Sequence, residues 1–356
     1  TLESSYEGQI WYNSTTGVNK TLVKFGAFIS GGNLNTSRYE LGGAGTKTAG
    51  IVAGGYLGPP GNTADAEEYD GVSWAEQNNL NTTRRTLTGF GTQTASAFCG
   101  GYTSTTVANT ELYNGSSFSE TGDLNTGRYG HTGNGTQTAG LVYGGSGGDQ
   151  ATEEFNGSSW TSSNNTNVAG RRGVGGGTQT AAIYINRESP PGASLKSHEQ
   201  YDGTSWTTQT DTNIAREYCS GSGSQASCLT AGGSPNVATA ELWDGTSFGA
   251  TASMGTGRGA AGMAGGTTVE GFIAGGDGSP AHTSATEEFN FSINTITKAA
   301  WASGGNTNTA LGTTAGSGTQ TAGIIFSGAD NKNNTELYDG SSWTAGPTLN
   351  TGRYGA

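Results

Sequence analysis

Seven glutamates stand at like places along this sequence: Glu67, Glu111, Glu153, Glu199, Glu241, Glu287 and Glu336. Hydrolysis by paired carboxylates needs two acids about 5–9.5 Å apart; seven equivalent glutamates offer many pairs and select none. Arginine recurs seven residues before a repeated glycine, at Arg38, Arg84, Arg128 and Arg216, with Arg171 and Arg258 one place off. Planar guanidinium forks gathered at one opening would suit carboxylated, sulfated or phosphorylated ligands. The plainer role for them is to hold loop carbonyls or a Glu. Each Glu stands three residues from its turn and each Arg seven from its own, a height difference of roughly 13 Å along a strand. Direct Arg–Glu pairing within a unit is therefore not expected, and each Glu is expected to serve backbone or hydroxyl groups. His131, His198 and His282 lie in different units with no ligand spacing. Asp149, Asp277 and Asp330 fall in loops without a calcium-binding pattern. No metal and no cofactor is predicted. The three cysteines are Cys99, Cys219 and Cys228. The last two flank a predicted turn near Gly223, which leaves both buried thiols and a cross-strand bridge open.

The chain that must position these groups has 356 residues, of which 64 are Gly, 12% charged and 31% hydrophobic. Glycine at this level disfavours helices. There is no strict third-residue Gly, which excludes collagen. Seven Trp, 14 Tyr and 11 Phe argue for a packed core rather than disorder. The net charge of −12 opposes binding to nucleic acid and to anionic membranes. No apolar run reaches the ~20 residues that cross a bilayer as a helix.

Internal repetition governs the rest. The string Gly-Thr-Gln-Thr-Ala-Gly-Leu-Val-Tyr-Gly-Gly at Gly135–Gly145 has relatives starting at Gly45, Gly91, Gly177, Gly223, Gly266 and Gly318. A second string follows each: EEYDGVSW at Glu67–Trp74, ELYNGSSF at Glu111–Phe118, EEFNGSSW at Glu153–Trp160, and so on to ELYDGSSW from Glu336. The sixth copy is degenerate, because Glu287-Glu288-Phe289-Asn290 runs into Phe291 with no Gly. A lead-in segment opens the units: LNTSRY at 34, LNTTRR at 80, LNTGRY at 124. The pattern predicts four short strands per unit. A tight turn falls at the Gly-Thr-Gln anchor, a strand end at Gly-Gly, and a two-residue hairpin at Asp-Gly or Asn-Gly. One such sheet cannot bury both faces. Seven set radially can, with Tyr69, Trp74, Tyr113 and Phe118 packed between neighbours.

An apolar strand ending in Gly-Gly, then a spaced Tyr and Trp, resembles the kelch repeat. The resemblance implies an all-β chain: a seven-bladed kelch-like β-propeller with a short N-terminal β-hairpin. The expected divisions are a hairpin connector at 1–33, the propeller at 34–349, and 350–356 as an exit segment or the start of a continuing chain. The EGQIWYNSTTG string and the LNTGRYGHTGNGTQTAG units resemble tail-fibre and virion structural proteins of marine tailed bacteriophages. Galactose oxidase is built on a similar ring, but its copper ligands find no match here. Asp70-Gly71-Val72-Ser73-Trp74 is similar to the sialidase box, one residue short, with no nucleophile pair beside it.

The lead-in segments and the loops after Gly-Gly should share one face, where loop lengths vary. Three stand out: Tyr56–Asp65, Arg187–His198 and Asp277–Ala285. The candidate ligand-binding residues there are Tyr56, Tyr102, Arg187, His198, Asp277, His282 and Lys332, with Arg38, Arg84, Arg128, Arg216 and Arg258 ringing the channel mouth. The expected function is non-enzymatic: a virion or extracellular protein, homo-oligomeric within a particle, binding host surface polysaccharide or glycoconjugate beside other virion proteins. The alternatives are a structural decoration or spacer and a polysaccharide-degrading enzyme.

Overall fold

The computed structural model describes residues 10–13, 18–59, 61–146, 150–190, 192–264, 269–278, 281–298, 307–308, 315–319, 322–326 and 333–352. The repeat dictates the element. In the first unit Gly42–Thr46 and Ala49–Ala53 pair antiparallel around the two-residue loop Lys47-Thr48. Ala66–Tyr69 pairs with the second strand and Trp74–Gln77 with the third. Burial falls outward: four of five residues of the second strand are buried, but only Trp74 of the outermost. The sheets beginning at Thr88, Thr132, Val174 and Ser220 repeat this order.

The aspartate loop differs from the expected two-residue hairpin. Tyr69 pairs with Trp74, leaving four residues between them. The Asp70 carboxylate accepts the backbone N–H groups of Val72 and Ser73 at 2.8 and 2.7 Å, and only Gly71 takes positive φ. The side chain closes the turn, so a longer loop replaces the mirror-image one.

The first compact unit, 1–5 with 23–295, holds a ring of six sheets, not seven. Backbone hydrogen bonds close it. Thr86 donates to Glu40, Gly130 to Thr86, Arg172 to Gly130, Tyr218 to Arg172, Ala260 to Tyr218, and Glu40 to Ala260, at 2.6–3.0 Å. Innermost strands meet so closely that glycine is required: a Cβ on Gly43 would fall 2.6 Å from the Met263 carbonyl. This is a β-propeller, with apolar and aromatic clusters between successive sheets.

The count drops to six because the sixth repeat lacks its hairpin. With no Gly after Asn290, Thr286–Lys298 runs straight through as one strand. The outer place of that sheet goes to the N-terminal strand Val18–Ser30. Gly26 lies against the Phe289 ring, and Phe28 packs on Phe289 at 4.9 Å. The seventh repeat belongs to the second compact unit, 6–22 with 296–356. There Ala315–Thr319, Ala322–Phe326, Thr335–Tyr338 and Trp343–Ala345 form their own four-stranded sheet, with the Tyr338 and Trp343 rings 4.9 Å apart and tilted by 35°. Ile10–Asn13 pairs with Val18–Thr21 as an antiparallel hairpin.

Candidate functional site

The recurring arginines do not ring the mouth. Arg38, Arg84, Arg128, Arg216 and Arg258 are at most 1% exposed. Each pairs with the glutamate of its own unit: Arg38–Glu67 at 2.7 Å, Arg84–Glu111 at 2.8 Å, Arg258–Glu287 at 3.2 Å, Arg216–Glu241 at 3.7 Å, and Arg128 with Glu153. The height argument fails because the lead-in segment dips to the level of the glutamate. Asn35 donates its backbone N–H to Glu67 at 2.7 Å, and Asn81, Asn125, Asn167 and Asn213 do the same to theirs. These arginines are struts, not ligand donors.

The fourth unit reaches the same pair by another route. Gly170 stands three residues after Asn167, the place Arg38 holds after Asn35. Arg187 supplies the guanidinium from the facing strand, 3.5 Å from Glu199, and a Cβ on Gly170 would fall 2.4 Å from the Arg187 Cδ. Arg187 is fully buried, and so is His198, which packs on Trp243 and Phe248. Neither can touch a ligand. The expected Arg187–His198 loop is instead a ribbon, with Ala181–Ser189 paired to Ala193–Tyr201, since no Gly-Gly ends the strand.

The mouth itself is built from the residues that follow each lead-in segment. Glu40, Thr86, Gly130, Arg172, Tyr218 and Ala260, the residues of the hydrogen-bonded ring, all take φ between 51° and 63°. Five are not glycine, and left-handed backbone there costs on the order of 1 kcal/mol each. Such strain gathers at sites that need a fixed display. Tyr39, Arg85, Tyr129 and Arg171 precede these turns and bridge by backbone to Tyr56, Tyr102, Ser146 and Glu188. Their side chains form an arc. Tyr39 lies 5.8 Å from His282 and 5.4 Å from Tyr56. The Arg85 guanidinium sits over Tyr56 at 4.4 Å and Tyr102 at 5.4 Å. Tyr102 meets Tyr129 at 5.4 Å, Arg171 lies over Tyr129 at 5.9 Å, and Arg172 over Tyr218 at 4.2 Å. All of these side chains are half-buried.

Three carboxylates punctuate the arc. Burial alone would raise Glu188, but Arg171 and Arg172 bond it directly and bring it down to about 2. Burial, then the Glu188 charge, pushes Glu217 up. Burial also raises Glu40, against the pull of Arg85 at 3.4 Å. Below the mouth the axial channel narrows to a cavity of about 130 Å³, walled largely by glycines and including His131. Cys99 lies 3.6 Å from His131, but burial pushes its thiol up to about 12, so it is no nucleophile at neutral pH. Cys219 and Cys228 are free thiols as well. Among the described residues no group of three His, Cys, Asp or Glu could hold a metal ion.

Of the ligand residues expected from sequence, Tyr56, Tyr102 and His282 enter the arc, and Asp277 stands exposed on the same face. Lys332, with Asp149 and Asp330, lies outside the described residues. Tyr39, Arg85, Tyr129, Arg171, Arg172 and Tyr218 join the site from outside the expected set. The last residue of LNTSRY, LNTTRR and LNTGRY carries the signal for Tyr39, Arg85 and Tyr129, and Arg171 stands at the same place. Arg172 and Tyr218 come one residue later, where other units have Glu40, Thr86 and Gly130, and carry no such signal.

No family model matches the sequence, and none of the curated proteins is similar to it. Chains of known structure do match, 304 of them, so the fold is widely shared and the site alone must speak for the chemistry. One is the protein titled "Structure of YjhT": 13% identical, covering 75% of this chain and 99% of that one, with a TM-score of 0.61. At that identity the likeness shows the fold alone.

Proposed function

We propose that the mouth of the ring binds saccharides without converting them, and that the protein serves as a recognition module of a virion surface appendage for host glycans. The reading of the mouth rests on one observation, the half-buried arc of tyrosines and arginines held by a strained, hydrogen-bonded backbone. Aromatic faces stack on the apolar faces of pyranose rings, and the phenol and guanidinium edges bond their hydroxyls. Shallow polar recognition of this kind is weak per site and gains from many copies on one particle. The virion setting and its partners rest on the resemblance of the repeat strings.

A glycan array probed with the intact protein tests the reading. Tyr102→Ala should lower affinity for the best array ligand about tenfold, or ~1.4 kcal/mol. An array with no binder would leave the protein a structural spacer, and release of shortened products from a bound polysaccharide would make it a degrading enzyme.

A further inference from the structure

Beside the mouth lies a pocket of about 200 Å³ between the first, fifth and sixth sheets. Tyr39 and Tyr218 supply aromatic surface, Glu40 and Asp277 are its acids, and Ser234 and Asn236 add neutral polar edges. No cationic side chain lines it. Arg172 is held by Glu188 and one face of Tyr218, while Arg85, lying over the rings of Tyr56 and Tyr102, is the one guanidinium that also pairs with Glu40. The Oε2 atom of Glu40 is buried and accepts no hydrogen bond, with the Arg85 Nε 3.4 Å away. A buried carboxylate oxygen left in that state is destabilising unless a donor reaches it. Burial holds the Glu40 carboxyl above its ordinary range even against the Arg85 and Arg172 charges, and the Asp277 charge adds to the rise, so one more cation is favoured there. Asp277 stands at the exposed rim of the same pocket, and the chain as a whole carries −12.

We propose that this pocket receives the protonated amine of an amino sugar, held between the Glu40 and Asp277 carboxylates and against the faces of the two tyrosines. An ammonium group supplies what the pocket lacks: hydrogen-bond donors for the Glu40 oxygen and a cation for the aromatic surface. The pyranose that carries it would extend over the neighbouring arc, with its hydroxyls at Ser234 and Asn236. The inference rests on the reading of the mouth as a saccharide site and narrows it to cationic over neutral sugars.

The test compares two ligands of one shape. A β-1,4-linked glucosamine tetramer and its fully N-acetylated counterpart are titrated calorimetrically into the full chain, at a pH where the free amine is protonated. The glucosamine tetramer is expected to bind at least tenfold tighter, with an affinity that falls as salt rises. Glu40→Gln and Asp277→Asn should each weaken it three- to tenfold and leave the acetylated tetramer unchanged. Asp277 is exposed, so its variant keeps the test sound should Glu40→Gln unsettle the backbone ring. Equal or tighter binding of the acetylated tetramer, or no effect of Asp277→Asn, overturns the proposal. If neither tetramer binds while the array finds another glycan, this inference fails and the saccharide reading stands. If the array is also blank, both fail.

Discussion

Arg187 and Gly170 show how one charge can be supplied from either of two backbones. Five units place the guanidinium in the lead-in segment, and the fourth places it on the facing strand where the first unit has Gly55. What the fold requires is a cation against the buried glutamate, whichever segment carries it. Arg187→Ala should cost about 3–5 kcal/mol, because Glu199 is left buried without its cation. The double change Arg187→Gly with Gly170→Arg should recover much of that, since the space Arg187 vacates is where a Gly170 side chain would lie. Urea unfolding of the three proteins checks both, and a double variant no better than the single one would refute the exchange. The repeat makes the seven glutamates and most of these arginines plain to see. Their pairing is hidden because height counted along strands ignores both the length of an arginine side chain and the descent of the segment that carries it.

At the scale of the element, the anchor glutamine explains why the repeat keeps its own turn. Gln93, Gln137, Gln179 and Gln225 each donate twice, to carbonyls of the second and third strands of the preceding sheet. The first unit has Lys47 there instead, and it meets Asn290 at 2.6 Å and Glu270 at 2.9 Å on the sixth sheet. Gln137→Ala would strip Ser96 and Tyr113 of a donor and should cost roughly 1–3 kcal/mol, read as a shifted denaturant midpoint with an unchanged slope. A slope that changes too would mean that the sheets had parted. The strands and their order follow from the repeat, since the short apolar run of the second strand and the turn residues that bound it are local. The four-residue aspartate loop does not, because a side chain closing onto Val72 and Ser73 competes with the mirror-image turn that Asp-Gly also favours. The arc at the mouth is half legible: loop variability points to Tyr56, Tyr102 and His282, while the lead-in residues that stack on them look like part of a structural motif.

For the whole molecule, stability should depend on acid in a definite direction. Burial, before Arg128 and Arg84, holds His131 well below its ordinary range, and burial, with Arg187, lowers His198 to about 4. Unfolded histidine titrates near 6.5, roughly. Below that pH the unfolded chain takes up protons that the ring refuses, so stability is complete above about pH 6.5 and drains away toward about pH 4. Unfolding midpoints at a series of pH values measure the slope. His131→Leu, which copies Leu41 and Leu87 at the equivalent places, should flatten part of it, and an unaltered slope would exclude His131 as a source. Seven repeats are countable from the sequence, but the number of sheets in the ring is not. It is decided by one missing glycine after Asn290 and by a strand from the far end of the chain. That strand, Val18–Ser30, leaves the ribosome before any of the six repeats, and its partner Thr286–Lys298 emerges more than two hundred residues later. Until then only its first four residues have a partner, in Ile10–Asn13, and the rest is an unpaired edge free to template other nascent chains. The molecule is therefore most exposed to misassembly not when it unfolds but while it is being made, and slower translation lengthens that danger.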